Sequence, residues 1–279
     1  MRYSLDIMMK SMCAAWTVVN HVTINESMIR YMGRAGSYIQ YMPAKPIKHG
    51  IKVFCLCCAV SAALLSFEIY VGKENENRDN SALAVCDRLV SSAGLTANRG
   101  RVLYTDNYYT SVKLAKHMFL KYGWTIVGTI ISTDKKSRED EDIPFLKLSN
   151  GARNGVKRGW YREAVLNQVG FSNGLSVKRH VKGKSTREVI EGPRAQRDYI
   201  TFFNAVDRSD RDSADWSTSI RTNRYYIRIL CWVLDLWCTH SLLWLCIAST
   251  AESESLAGKN ISTNTLDARI FKLTWVLIC

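Results

Sequence analysis

The chain contains 279 residues, 47% of them hydrophobic, which is enough to bury the core of one large domain or of two modest ones. Lys and Arg number 38 against 25 for Asp and Glu, and the net charge of +13 favours a polyanionic partner, nucleic acid first and an anionic membrane second. The nine cysteines include one C-x-x-C pair, Cys55 and Cys58, but no second Cys pair or His pair lies at zinc-finger spacing from it. This excludes a zinc finger and indicates a reduced intracellular protein.

Two apolar stretches raise the question of a membrane span. Residues 53–67 are too few to cross a bilayer and are followed by Glu68. Residues 229–249 are long enough, but Asp235 and His240 lie within them. We therefore expect a buried helix or helix hairpin at 229–249 and no membrane partner, with a transmembrane span as the alternative. The N-terminus has no apolar segment of the signal-peptide type.

The first half of the chain predicts alternating strands and helices. Strands are expected from β-branched and aromatic runs at residues 21–26, 50–56, 64–72, 102–105 and 125–131. Helices are expected from apolar periodicity at residues 82–93 and 112–120. This order of elements predicts an α/β layer with a mixed sheet.

The composition changes after residue 132. Residues 147–197 contain twelve Lys and Arg against three Glu and no Asp, and short strand-like pieces alternate with Gly and Asn. We interpret residues 133–196 as a basic, β-leaning insertion in the α/β layer. Further on, an aromatic run leads to Asp207 and Asp210, which are three residues apart and therefore face the same side of one helical turn.

Asp106 follows the predicted strand at 102–105, in the run Tyr104-Thr105-Asp106-Asn107-Tyr108-Tyr109. A carboxylate at a strand end beside a helix is held rigidly and is suited to a hard cation. The alternative is structural, because Asp commonly caps a helix or bends a turn.

Taken together, these segments resemble the piggyBac family of transposases over residues 20–245. The resemblance is carried by residues 32–34, 41–52, 104–111, 128–129 and 206–210. It implies an RNase H-like catalytic core formed by residues 20–132 and 197–212, interrupted by the basic insertion at 133–196. It also implies that residues 1–19 and 213–279 are remnants of a helical dimerisation and DNA-binding region. The resemblance also implies a larger N-terminal region and a Cys/His-rich tail that this sequence lacks, so we expect a decayed, truncated or incompletely predicted copy.

Members of the family cut and paste DNA at TTAA sites with three aspartates and divalent metal, so the resemblance implies Mg²⁺, or Mn²⁺, as the cofactor. In such chemistry two metal ions clamped by carboxylates activate the attacking hydroxyl and stabilise the leaving oxygen. By the resemblance, Asp106 falls on the second metal-binding aspartate, Asp207 on the third and Asp210 on the accessory acidic position after it.

The first acidic position departs from the family pattern, because it is Asn25 in the step Asn25-Glu26. An amide offers a neutral oxygen where two dications need negative charge, so we expect impaired catalysis. Glu26 is the next residue on the predicted strand, so its side chain points to the opposite face and does not substitute.

Basic residues near the site and in the insertion are the predicted contacts to DNA phosphates, since a stiff loop with two prolines and two lysines suits phosphate contact. They are Arg34, Lys45, Lys48, Lys52, Lys157, Arg158, Lys178 and Arg179. An exposed solubilising loop is the alternative for the segment around Lys45. The sequence thus predicts a nuclear protein that binds double-stranded DNA, with no small-molecule substrate and with a homodimer left open. The alternative function is that of a non-catalytic, chromatin-associated domesticated protein.

Overall fold

The computed structural model describes residues 20–43, 45–72, 79–97, 100–129, 175–180, 187–192, 194–218 and 220–257. The strands are β1 (His21–Arg30), β2 (Ile39–Tyr41), β3 (His49–Cys58), β4 (Leu64–Ile69), β5 (Val102–Thr105), β6 (Thr125–Gly128), β7 (Leu175–His180) and β8 (Arg187–Gly192). The helices are α1 (Ala82–Ser92), α2 (Val112–Tyr122), α3 (Arg194–Phe202), α4 (Ala205–Ala214) and α5 (Tyr225–Ala257).

Six strands form one mixed sheet in the order β2-β3-β1-β5-β6, with β4 also paired to β3. The pairs that β3 makes with β1, β2 and β4 are antiparallel, whereas β1–β5 and β5–β6 are parallel. The predicted α/β class with a mixed sheet is confirmed. Strands β7 and β8 pair separately as an antiparallel hairpin, which agrees with the strand-like character predicted there.

Strand β1 is buried on both faces, and its two faces differ in chemistry. Val22 and Ile24 point toward α1 and α2, into an apolar core. Thr23, Asn25 and Ser27 alternate with them and point to the opposite side, where α3 and α4 lie. We name these sides the α1/α2 face and the α4/α5 face.

Each face of the sheet carries its own apolar core. The core of the α1/α2 face includes Val22, Ile24, Phe54, Leu56, Val85, Leu89, Leu103, Leu114, Met118 and Trp124. The core of the α4/α5 face includes Ile51, Val53, Cys55, Cys57, Val206, Ile229, Trp232, Val233 and Leu236. Burial of apolar surface on both faces fixes β1 and β3 as the rigid centre of the molecule.

Local signals define the helix that follows Asp106. The hydroxyl of Ser111 accepts a hydrogen bond from the backbone N–H of Leu114 (3.2 Å) and so caps the N-terminus of α2. Gly123 ends the helix in the left-handed conformation, with φ of 68°. The two predicted helices of this half, at 82–93 and 112–120, are confirmed as α1 and α2.

Helix α5 explains the apolar stretch that contains two polar residues. The helix runs unbroken from Tyr225 to Ala257, so the hairpin form is wrong, and one face of its first half is buried while Trp237 and Leu245 are exposed. Asp235 is buried because it accepts hydrogen bonds from the backbone N–H and hydroxyl of Thr218 (2.9 and 2.7 Å). Among the helices in the described part of the chain, none is long and apolar enough to cross a membrane.

Candidate functional site

The α4/α5 face of β1 presents a row of buried polar side chains toward α3 and α4. The hydroxyl of Thr23 donates to the carbonyl of Phe202 at 2.7 Å, which joins β1 to the end of α3. The hydroxyl of Ser27 donates to Oδ1 of Asp210 at 2.6 Å, which joins β1 to α4. Asn25 lies between them on the same face and is only 5% exposed. The first predicted site position is therefore inside the protein.

Asp106 reaches the same region through the parallel pairing of β5 with β1. The last residue pair is Ile24 with Thr105, so Asp106 follows directly beside Asn25. Asp106 also lies near Glu26 and Lys45, since, besides burial, the charge of Glu26 raises its pKa and that of Lys45 lowers it. The sheet register thus brings the first and second predicted site positions together.

The carboxylate of Asp106 also shapes its own turn. Its Oδ1 accepts hydrogen bonds from the backbone N–H groups of Tyr108 (3.0 Å) and Tyr109 (3.4 Å). The structural alternative is therefore correct for the turn, but not for the cap, since Ser111 caps α2. Burial raises the pKa of Asp106, and the negative charge of Glu26 raises it further, against the lowering effect of the two backbone bonds.

Gly128 leaves room for this turn. It pairs with Thr105 across β5 and β6. A Cβ atom at Gly128 would collide with the hydroxyl of Thr110 and would lie 2.8 Å from the carbonyl oxygen of Thr105. The backbone N–H of Thr110 in turn donates to the carbonyl of Asp106 at 3.0 Å. A glycine at position 128 is therefore required by the close packing that holds Asp106.

Helix α4 carries the two remaining predicted acids, in different surroundings. Asp207 is exposed in the first turn, where a carboxylate interacts favourably with the helix dipole. Asp210 is one turn further along, half-buried, and accepts a hydrogen bond from the hydroxyl of Ser27. Burial raises the pKa of Asp210 to about 6, although the bond from Ser27 lowers it, and the charge of Asp207 adds to the increase. Asp210 rather than Asp207 therefore contacts β1.

Lys45 brings a positive charge to these acids. Its Nζ donates a hydrogen bond to the backbone carbonyl of Glu26 at 3.1 Å, on the segment of β1 between Asn25 and Ser27. Its positive charge only weakly opposes the burial that raises the pKa of Asp106 and that of Asp210. The hydrogen bond thus places Lys45, a predicted DNA contact, against the backbone of β1.

Glu26 lies on the opposite face, as strand alternation predicts. Its Oε1 is 2.7 Å from Nζ of Lys52, whose side chain is only 12% exposed. The ammonium of Lys52 also lies over the rings of Phe54 (4.9 Å) and Tyr108 (5.1 Å). The predicted DNA contact Lys52 is therefore paired with Glu26 inside the protein.

The other predicted DNA contacts have varied positions. Arg34 and Lys48 are exposed beside strands β2 and β3. Lys178 and Arg179 lie in β7, where they pair with Val189 and Glu188 of β8. Lys157 and Arg158 lie outside the described residues.

The side chains present do not fit a two-metal centre. Within the described ranges, no group of three His, Cys, Asp or Glu side chains is arranged to hold a metal ion. Asn25 contributes no charge, Asp207 is exposed at the rim, and Oδ1 of Asp106 is engaged by two backbone N–H groups. Two divalent ions need more negative charge than this set of donors supplies.

Sequence reasoning missed Thr23 and Ser27, which connect β1 to α3 and α4. The signal was present, because Thr23, Asn25 and Ser27 are polar residues at every second position of β1, and Val22 and Ile24 between them belong to an apolar core. Such a polar row on a doubly buried strand indicates a site rather than a solvent-exposed face.

Comparisons with known proteins agree with this geometry. A family model described as Transposase IS4 matches residues 1–239. The human PiggyBac transposable element-derived protein 3 is 25% identical over 233 residues, which cover 77% of this chain and 38% of that protein. The human PiggyBac transposable element-derived protein 2 is 23% identical over 229 residues, which cover 76% of this chain and 38% of that protein.

A solved structure shares the fold. It is a piggyBac transposase synaptic complex with hairpin DNA, with a TM-score of 0.61 and 21% identity over 88% of this chain and 50% of that chain. The fold is therefore RNase H-like. The chain spans only 38% of the length of the two human relatives. The family match over residues 1–239 shows that this chain belongs to the piggyBac-type transposases.

Proposed function

We propose that the chain is a DNA-binding, RNase H-like transposase core whose strand-cleavage chemistry is impaired. One observation carries the proposal: the residue that the sheet register places beside Asp106 is Asn25, a buried neutral amide. The reaction that the core would otherwise support is metal-dependent cleavage and transfer of DNA strands at TTAA sites. Mg²⁺ or Mn²⁺ is the proposed cofactor of a repaired site.

The impairment follows from charge. Replacing a carboxylate by an amide removes one negative charge from a site that must balance two dications. The neighbouring acid Glu26 is held on the other face by Lys52. No residue of β1 therefore restores the missing charge from the position of Asn25.

Binding to double-stranded DNA is supported by charge and by the fold. The net charge of +13 favours phosphate contacts. The solved transposase with the same fold is a complex with hairpin DNA. Arg34 and Lys48 are exposed and suited to phosphate contact, whereas Lys52 is paired with Glu26. A nuclear location and a homodimer belong to the same proposal.

We also propose a domain assignment for the chain. Residues 20–132 and 197–212 form the catalytic core, and residues 133–196 form the basic insertion to which β7 and β8 belong. Residues 1–19 and 213–279 are assigned to dimerisation and DNA binding. The proximity of β1 to α4, shown by the bond between Ser27 and Asp210, supports joining the two core segments.

A cleavage assay with TTAA-flanked DNA and Mg²⁺ or Mn²⁺ tests the impairment. We expect no cutting by the unaltered chain and metal-dependent cutting by Asn25→Asp. The double variant Asn25→Asp/Asp106→Asn is the matched control and should be inactive, because it again lacks one of the acids. Robust cutting by the unaltered chain overturns the impairment. Binding without cutting by Asn25→Asp would favour the chromatin-associated alternative.

A salt titration of DNA binding tests the phosphate contacts. The logarithm of the affinity should fall linearly with the logarithm of salt concentration. Lys48→Met should reduce the magnitude of that slope by about one, as expected for one lost phosphate contact, whereas Lys52→Met should leave it unchanged. A salt-independent affinity rejects phosphate-driven binding.

A further inference from the structure

The end of β1 is joined to the start of α5 by two hydrogen bonds. The phenol of Tyr31, the residue after β1, donates to the backbone carbonyl of Asn223, which lies just before α5. The guanidinium of Arg228, in the first turn of α5, donates through Nε to the carbonyl of Arg30, the last residue of β1, at 3.2 Å. The end of the central strand and the start of the long helix therefore form one surface.

The chain that follows β1 packs onto the same junction. A Cβ atom at Gly33 would collide with the phenol of Tyr31, so the backbone at Gly33 lies directly against that ring. The ring of Tyr38, further along the chain, stacks on the ring of Tyr225 of α5 with 5.0 Å between the centroids. Arg34 lies between these two contacts and is therefore held near the start of α5.

Exposed basic side chains surround this junction. One is the last residue of β1, one follows Gly33, and two flank Asn223. They are Arg30, Arg34, Arg221 and Arg224. Arg30 also pairs with Gly50 of β3, so the exposed side chain of Lys48 lies two residues beyond that pair and continues the positive charge. We name these five residues the β1/α5 basic surface.

The segments that carry this surface contain no acids. The sequence has no Asp or Glu in residues 27–67 or in residues 216–234. The next acid, Asp235, is buried and accepts hydrogen bonds from the backbone N–H and hydroxyl of Thr218. On the α1/α2 face, by contrast, Arg88 is paired with Glu68 at 2.8 Å. The β1/α5 basic surface is therefore not neutralised by acids of its own segments, and it is suited to an anionic partner.

We propose that the β1/α5 basic surface binds the phosphates of double-stranded DNA. The inference rests on the proposed function, and it adds Arg30, Arg221 and Arg224 to the contacts predicted from the sequence. Guanidinium groups match phosphate oxygens with paired hydrogen bonds. The arginines come from three separate segments rather than from one amphipathic helix, which favours the backbone of a nucleic acid over a membrane surface.

Fluorescence anisotropy with a labelled DNA duplex, measured with the full chain at several salt concentrations, tests the proposal. Arg30→Met/Arg224→Met should reduce the slope of log affinity against log salt by about two in magnitude, because two phosphate contacts are lost. Lys113→Met/Lys116→Met has the same net charge but changes two exposed lysines of α2, so it should leave the slope unchanged. Arg30→Lys/Arg224→Lys keeps both charges and should also keep the slope.

The possible outcomes separate this inference from the proposed function. If the unaltered chain and Arg30→Met/Arg224→Met show the same slope, this inference is overturned, whereas DNA binding through other residues stands. An equal loss of slope in the lysine control also overturns it, because the effect then follows net charge. Weaker binding of the arginine variant to phosphatidylserine vesicles, with unchanged DNA binding, would overturn it in favour of a membrane. Failure of the unaltered chain to bind the duplex overturns the proposed DNA binding as a whole.

Discussion

One acid on each side of the central sheet can be compared by the number of hydrogen-bond donors around its carboxylate: several surround Asp87, and few surround Asp210. On the α1/α2 side, Asp87 accepts hydrogen bonds from Lys121 and Tyr122 and lies 2.8 Å from the ring of His117. On the α4/α5 side, the carboxylate of Asp210 accepts a hydrogen bond from one side chain of the described residues, the hydroxyl of Ser27. Burial raises the pKa of both acids, but the donors around Asp87 outweigh it and lower that pKa to about 2, whereas the pKa of Asp210 rises to about 6.

The ionised carboxylate of Asp87 therefore stabilises the folded state, whereas the ionised carboxylate of Asp210 destabilises it. The group around Asp87 joins α1 to α2 and favours the folded state at neutral pH. Asp210 has too few donors for its burial, so its ionised form opposes folding. Natural proteins retain such acids where a site requires them, at the expense of stability. The comparison therefore marks the α4/α5 face as the functional side.

The largest expected effect lies in the core of the α1/α2 face. Leu89→Ala removes a side chain that is 1% exposed, and it should lower the free energy of unfolding by about 3 kcal/mol. Leu120→Ala, on α2 but 83% exposed, is the control and should change it by less than about 0.5 kcal/mol. Urea unfolding measures both variants. A loss of less than about 1 kcal/mol for Leu89→Ala would contradict the assignment of this face as the stable core.

A smaller effect of opposite sign is expected at Asp210. Its pKa is raised in the folded state, so the folded protein holds the proton more tightly and loses stability as pH rises from about 4 to about 6. Asp210→Asn should therefore raise the free energy of unfolding at pH 7.5 by about 2 kcal/mol and have no such effect at pH 4. The amide keeps a carbonyl acceptor for Ser27.

Urea unfolding at the two pH values checks this prediction. Asp207→Asn is the matched control, because Asp207 is exposed on the same helix and should show little change. Destabilisation of Asp210→Asn at pH 7.5 would show that Asp210 stabilises the fold, and it would remove the contrast with Asp87.

Much of the fold followed from the sequence because its signals are local. Alternating residues predicted β1, and apolar periodicity with Ser111 and Gly123 at the ends matches helix α2. Strand β2 was not predicted, since three residues carry too little pattern. The hairpin form expected at 229–249 is wrong because one helix spans Tyr225–Ala257, and the partner of its buried Asp235 is Thr218, a contact that periodicity does not reveal.

The site was predictable only in part. Asp106 was predicted from its place at a strand end and Asn25 from the family resemblance, and the register of β1 with β5 explains why they are neighbours. The different surroundings of Asp207 and Asp210, and the bond from Lys45 to the carbonyl of Glu26, depend on how α4 and the loop pack onto the sheet. The group around Asp87 was missed for the same reason, because its members come from two helices.

A pH effect is expected on the α4/α5 face from His240 of α5. Burial lowers the pKa of His240 to about 4, and its Nε2 accepts a hydrogen bond from the backbone N–H of Leu64 at 3.3 Å. The unfolded chain takes up the proton below about pH 6.5 while the folded chain does not, so stability falls as pH is lowered from 6.5 toward 4.

We expect this group to account for a loss of about 1.4 kcal/mol between pH 7 and pH 5.5. His240→Gln, which does not titrate, should abolish that part of the pH dependence. The measurement is made by urea unfolding in an Asp210→Asn background, because Asp210 contributes with opposite sign in the same range. An unchanged pH dependence in His240→Gln would show that His240 is not the responsible group.

The smallest expected effect is at Asp87, and it completes the comparison with Asp210. Its pKa is lowered in the folded state, so its contribution is fully present above about pH 4 and is lost as pH falls toward 2. Asp87→Asn should lower the free energy of unfolding at pH 7.5 by about 1 kcal/mol, because its partner Lys121 is partly exposed and solvent weakens that bond. Combining Asp87→Asn with Lys121→Met should add less than the sum of the two single changes, since both remove the same interaction. A gain in stability for Asp87→Asn at pH 7.5, matching that expected for Asp210→Asn, would mean that the number of donors around a buried acid does not separate the two sides of the sheet.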